Sequence, residues 1–153
     1  MSIPELVKEL GNHFNVALAL NHDGMARLQL DDELLIDFEH DEASSRLLVY
    51  AAIGMLPAGA EREALMLELL EANLFGSGTG SCAPAFDSAQ SEFLLWFAAE
   101  EADSVAGLVP KLENLAIQAE KWRDRLRQPG VKASDSASLA QSAPGGFDFF
   151  LRA

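Results

Sequence analysis

The first residues of the chain place apolar side chains at helical spacing. A helix is predicted over residues 2–12, with Ser2 as its N-cap and with Gly11 and Asn12 as its stop. The apolar positions that share one face of this helix are Ile3, Leu6, Val7 and Leu10.

Over residues 25–30 and 34–39 the side chains alternate with the period of a strand, and residues 46–55 are rich in Leu, Val and Tyr. Strands are predicted at residues 25–30, 34–39 and 46–55, with polar turns between them. Three consecutive strands joined by short turns indicate an antiparallel meander.

Residues 61–75 are dense in strong helix formers and predict a second helix. Its apolar positions are Ala64, Leu65, Met66, Leu67, Leu69, Leu70, Ala72, Leu74 and Phe75. They cover more than one stripe, so one face can pack on the helix's own sheet while another needs a further partner, such as a second subunit.

The rest of the pattern completes an α+β chain. Residues 76–81, GSGTGS, are expected to form a flexible loop, followed by a hairpin of residues 83–86 and 91–99. Both faces of the second hairpin strand are apolar, which favours a central strand or one whose outer face meets a partner. A third helix is predicted within residues 103–128, where Pro110 either starts the regular part or kinks it.

The composition changes after Gln128, where Pro, Gly, Ser and Ala replace the apolar pattern. Residues 129–146 contain too little apolar content to pack, so a disordered tail is expected over residues 129–153. This tail ends in GFDFFLRA, an aromatic cluster. The sequence therefore predicts one domain over residues 1–128 and a separate tail.

The charge balance narrows the classes of partner. The chain carries 24 acidic and 11 basic residues, a net charge of −13. A phosphate backbone or an anionic membrane would repel that surface, so neither is an expected partner. A single cysteine, Cys82, fits a reducing cytosol, and no signal-peptide core or membrane-spanning stretch is expected.

No motif of the sequence indicates catalysis, a cofactor or a metal. The GSGTGS segment lacks the Lys-Ser/Thr of a phosphate loop and is best interpreted as a linker. His13, His22 and His40 have no zinc-site spacing, and no activating base lies near Cys82 in sequence. We therefore expect a protein that binds other proteins and is not an enzyme.

The order α-β-β-β-α-β-β-α, at this length and acidity, resembles the Tir-chaperone (CesT-like) family of type III secretion chaperones. The segment Leu69-Leu70-Glu71-Ala72-Asn73-Leu74 before a Gly-rich turn is similar to the family's middle helix. The segment Ala119-Glu120-Lys121-Trp122 is similar to the family's closing helix. The resemblance covers about residues 1–128 and leaves the tail unexplained.

The resemblance implies an α/β sandwich with a twisted antiparallel sheet, a homodimer, and binding of a secreted effector's N-terminal segment in extended form, without a cofactor. The first helix and the meander combine apolar patches with a possible sheet edge, and their candidate effector-binding residues are Leu6, Leu10, Leu28, Leu30, Leu34 and Ile36. Each of the six alone is more often a core residue. The candidate dimer-interface residues are Leu65, Met66, Leu69, Leu70, Phe93 and Trp96.

Two other readings of the sequence stay open at this point. A YbjN-like domain of similar architecture would act as a regulatory protein-interaction module without a role in secretion. An enzyme with an unusual site would instead retain a small ligand or a metal when it is purified.

Overall fold

The helices and strands follow one another in the predicted order. The structure is a computed structural model that describes residues 1–128, and the prediction for the tail lies outside this range. The elements are α1 (Ile3–Phe14), β1 (Met25–Gln29), β2 (Leu35–Asp41), β3 (Arg46–Met55), α2 (Glu61–Asn73), β4 (Ala83–Asp87), β5 (Glu92–Glu100) and α3 (Val105–Arg127).

The strands form one antiparallel sheet in the order β1-β2-β3-β5-β4. The meander β1-β2-β3 and the α+β class are thus confirmed, and β5 is a central strand as its two apolar faces indicated. Strands β1 and β4 form the two edges of the sheet.

One face of the sheet carries most of the core. α3 packs across β3 and β5, and α1 contacts α3. The fully buried strand residues on this inner face alternate along each strand, as the period of two requires, and include Ile36, Phe38, Leu47, Val49, Ala51 and Leu95.

α1 is longer than the sequence predicts. Its N-terminus is the expected capping box of Ser2 and Glu5, but the helix continues through Gly11 to Phe14 and ends at Asn15 in the left-handed conformation (φ 55°). The prediction of a stop at Gly11 is wrong, because the missing side chain at Gly11 lets Leu18 pack closely against the helix. A Cβ atom there would lie 2.8 Å from the Cβ of Leu18.

α2 ends two residues earlier than predicted and is followed by a 3-10 turn over residues 74–76. Leu65 and Leu69 are its buried residues. Glu68, on a neighbouring side of the helix, accepts two hydrogen bonds from the Arg125 guanidinium, at 2.8 and 2.5 Å. This bidentate ion pair joins α2 to the C-terminal part of α3.

The glycine-rich segment of residues 76–81 is anchored, so the prediction of a flexible loop is wrong. The Trp122 indole donates a hydrogen bond to the Gly78 carbonyl at 3.1 Å, and the Asn114 amide donates one to the Gly80 carbonyl. Thr79 between them is fully buried. Both donors belong to α3, which begins at Val105 with Ser104 as its cap and continues through Pro110.

Candidate protein-binding surfaces

The outer edge of β1 presents backbone groups that the sheet does not use. Gly24 accepts a hydrogen bond from His40, and Leu30 donates one to Leu34, at 2.8 and 3.0 Å. Because hydrogen-bonded positions alternate in an antiparallel pair, Ala26 and Leu28 also point their backbone groups toward β2.

The residues between them point their backbone groups the other way. Both backbone groups of Met25 are taken by Asn21, whose side-chain oxygen accepts from the Met25 N–H and whose own N–H donates to the Met25 carbonyl. Within residues 1–128 no backbone partner lies on the outer side of Arg27 or Gln29. An incoming extended chain could pair with these two residues.

Apolar side chains lie beside this edge. Leu20, Ala26 and Leu30 are half-buried and pack against the hydrophobic core. Their exposed portions, next to free backbone groups, form the combination that strand addition uses: hydrogen bonds for affinity and apolar contacts for selectivity. We call residues 27 and 29, with Leu20, Ala26 and Leu30, the β1 edge.

The structure separates the six predicted effector-binding residues. Leu30 is half-buried at the β1 edge. The other five are buried within the domain: Leu6, Leu10, Leu28, Leu34 and Ile36. A buried side chain cannot line an open groove in this conformation, so of the set only Leu30 offers contact surface in the free chain.

The six predicted dimer-interface residues are also divided. Leu65, Leu69 and Phe93 are buried against their own domain, and the Phe93 ring lies 5.1 Å from the Phe86 ring. Met66 and Leu70 are exposed, Leu70 to 66%.

Exposed apolar residues continue along the same side of α2 and into the 3-10 turn that follows it. Met66, Leu70 and Leu74 recur at a spacing of four residues, with Leu67 beside them, and all four are exposed. This α2 stripe leads to Phe75, which is 95% exposed. The predicted interface did not include Leu67, Leu74 or Phe75, although the four-residue spacing from Met66 and Leu70 points to Leu74.

The sixth interface candidate, Trp96, lies on the sheet face opposite the core. It pairs with Tyr50 across β3 and β5, and both side chains are half-buried. Toward β1 the same face becomes polar, where the Arg27 guanidinium pairs with the Asp37 carboxylate.

Ionic contacts fix the turn after β1 to the end of α3. The Arg127 guanidinium lies 2.7 Å from the Glu33 carboxylate, and the Arg123 guanidinium lies 3.6 Å from it. The hydrogen bond from Arg127 lowers the pKa of Glu33, and the positive charge of Arg127 acts in the same direction. The last described residues of the chain therefore lie beside the β1–β2 turn.

Cys82 and the metal-binding side-chain types were candidate sites of chemistry. Burial raises the pKa of the Cys82 thiol, which keeps it protonated and unreactive at neutral pH. Among residues 1–128 no three His, Cys, Asp or Glu side chains are grouped to hold a metal ion. In the same range no helix has the length and apolar character to cross a membrane.

Solved structures share this fold at low sequence identity. A chain of the HopA1–SchA chaperone–effector complex aligns with a TM-score of 0.64 at 16% identity, covering 78% of this chain and 91% of that one. A chain of the ExoU–SpcU heterodimer from the type III secretion system of Pseudomonas aeruginosa aligns with a TM-score of 0.60 at 23% identity, covering 80% and 95%. The Yersinia pestis type III secretion chaperone SycH, bound to a fragment of YscM2, gives a TM-score of 0.61 at 19% identity, covering 78% and 98%.

Two comparisons use the amino-acid sequence alone, and they give different results. A search of curated proteins gives no match. The sequence profile of the Tir chaperone protein (CesT) family, in contrast, matches residues 5–123, from α1 into the last turns of α3. The match takes in every strand of the sheet and most of the chain, and so the protein belongs to the Tir chaperone protein (CesT) family.

Proposed function

We propose that this protein is a type III secretion chaperone of the bacterial cytoplasm, which binds the N-terminal segment of a secreted effector in extended form and keeps it competent for secretion. Membership of the Tir chaperone family supports the proposal. Several proteins that share the fold were solved as complexes of a chaperone with its effector or with another protein.

The observation that carries the proposal is the open β1 edge. It offers the outward backbone groups of Arg27 and Gln29 beside half-buried Leu20 and Leu30. An extended effector segment would pair with these groups and place alternate side chains against the two leucines. The other five candidates are buried in the core and would not contact the effector directly. Binding of this kind needs no ATP, cofactor or metal.

A proline at position 29 tests strand addition without disturbing the domain. Gln29→Pro removes an N–H that points away from β2, and proline is tolerated on the free side of an edge strand. Losing one backbone hydrogen bond and obstructing close approach should weaken effector binding roughly tenfold. Gln29→Ala keeps the N–H and should bind as the wild-type protein does.

The measurement is the amount of effector that copurifies with each form from the native bacterium, quantified by mass spectrometry. Equal recovery with the proline and alanine variants, both with unchanged melting temperatures, would rule out pairing at position 29.

A homodimer is the second part of the proposal. The exposed α2 stripe, with Met66 and Leu70, and the half-buried Trp96 are the apolar surfaces that a second copy could cover. Leu65, Leu69 and Phe93 would then hold these surfaces in place from inside the domain.

Leu70→Asp is expected to convert the dimer to a monomer, because the substitution places an uncompensated charge in an apolar interface. Leu70→Met conserves the apolar surface and should stay dimeric. Light scattering gives the mass of each form, and circular dichroism confirms folding. Leu69→Asp is unsuitable, because Leu69 is buried in its own domain and the variant would unfold. A wild-type protein that stays monomeric at high concentration would contradict this part of the proposal.

A further inference from the structure

The C-terminal tail begins next to the β1 edge. α3 ends at Arg127, and the 2.7 Å contact between Arg127 and Glu33 shows that this end lies beside the turn that follows β1. A second contact, from Arg123 to the same carboxylate at 3.6 Å, holds the last turns of the helix in this direction. Whatever follows residue 128 therefore starts close to one end of the open strand.

The tail ends in a segment with the period of a strand. In GFDFFLRA, Phe147, Phe149 and Leu151 occupy alternate positions, and Asp148, Phe150 and Arg152 occupy the other set. Such a pattern suits an extended chain with one wholly apolar face and one mixed face. The residues before it lack apolar residues at comparable density, so the apolar content of the tail is concentrated at its end.

The connection is long enough to bring this segment back to β1. Residues 129–146, eighteen in all, span at most about 60 Å when fully extended. β1 has five residues and is about 17 Å long, so the segment can reach the whole strand. A tether of this length keeps the segment at an effective concentration in the millimolar range.

The β1 edge complements the segment in both backbone and side chains. The free groups of Arg27 and Gln29 are two residues apart, which matches one repeat of an added strand. With Phe147, Phe149 and Leu151 turned toward Leu20 and Leu30, Asp148 falls on the sheet face that carries Arg27. Phe150 falls on that face too, where Met25 is exposed and can make a sulfur–aromatic contact.

We propose that residues 147–151 add to the outer edge of β1 in the same molecule and cover it while no effector is bound. Covering the edge would prevent edge-to-edge association of the free chaperone, and an effector would have to displace the segment. The role of this contact in secretion rests on the proposed function. The contact itself does not, since it involves only this chain.

Amide hydrogen exchange in the full-length protein without effector tests the contact. The Gln29 N–H should exchange at least about tenfold more slowly in the wild-type protein than in a variant carrying Phe147→Ser, Phe149→Ser and Phe150→Ser. The Leu28 N–H, which points toward β2, is the internal control and should be equally protected in both. The synthetic peptide GFDFFLRA, added to the triple variant, should restore protection at Gln29, and a peptide with serine at the three Phe positions should not.

Equal exchange of the Gln29 N–H in the wild-type protein and the triple variant would overturn the proposal. A tail that covers the α2 stripe instead would give this same result. Protection that disappears on dilution would place the segment on a second copy and would overturn the intramolecular contact. Effector capture by the Gln29 variants is a separate measurement. If only the exchange result fails, the tail contact is wrong. If only the effector-capture result fails, the proposed pairing of the effector with β1 is wrong.

Discussion

Trp122→Ala is expected to lower the free energy of unfolding by about 3–5 kcal/mol, the usual cost of emptying a buried tryptophan site. Trp122 is only 4% exposed, and its indole N–H donates to the Gly78 carbonyl. The substitution would remove both the apolar contact and the hydrogen bond that anchors the glycine-rich segment to α3. Urea unfolding followed by circular dichroism measures the change.

Trp122→Phe is the matched control for the hydrogen bond. It retains most of the buried ring but has no N–H to donate. Lys121 Nζ also lies 3.4 Å from the Gly78 carbonyl, so that oxygen keeps a donor. The cost beyond the lost volume should be only about 1 kcal/mol. If the alanine and phenylalanine variants were equally stable, the burial of the ring would not be what holds this part of the fold.

Leu6→Ala is expected to cost about 2–5 kcal/mol, because Leu6 is fully buried between α1 and the core. Leu30→Ala should cost less than about 1 kcal/mol, since Leu30 is only half-buried at the β1 edge. The two variants should rank differently in effector binding than in stability. Among variants that remain folded, Leu30→Ala should show the clearer loss of binding relative to its loss of stability.

Urea unfolding midpoints and effector recovery, measured on the same samples, separate these effects. If Leu30→Ala loses binding only in proportion to stability, Leu30 belongs to the core and the effector contacts another surface.

The order of the elements was predictable because each one has a strong local signal. Period-two alternation identifies β1 and β2, richness in Leu, Val and Tyr identifies β3, and the two apolar faces of β5 identify a central strand. Local alternation does not indicate where a sheet ends, however. Leu30 and Leu34 look alike in sequence, yet Leu34 is buried and Leu30 is half-buried at the edge. The split among the candidate effector-binding residues arises from this missing information.

The anchored glycine-rich segment was unpredictable for a related reason. Its partners, Asn114 and Trp122, are 34 and 44 residues away from Gly80 and Gly78. Glycine and serine locally favour a linker, and only tertiary contacts override that preference. Gly11 is a similar case, because its value lies in the close approach of Leu18 and not in ending the helix.

The pairing of β3 with β5 has a consequence for the speed and timing of folding. The two central strands are separated along the chain by α2, the glycine-rich segment and β4, and α3 covers them only afterwards. Pairing between such distant segments carries a large loop-closure cost, which slows folding relative to helical domains. A nascent chain that ends before residue 105 has its meander but lacks the helix that shields it. We therefore expect productive folding to begin late in synthesis, with shorter fragments prone to aggregation.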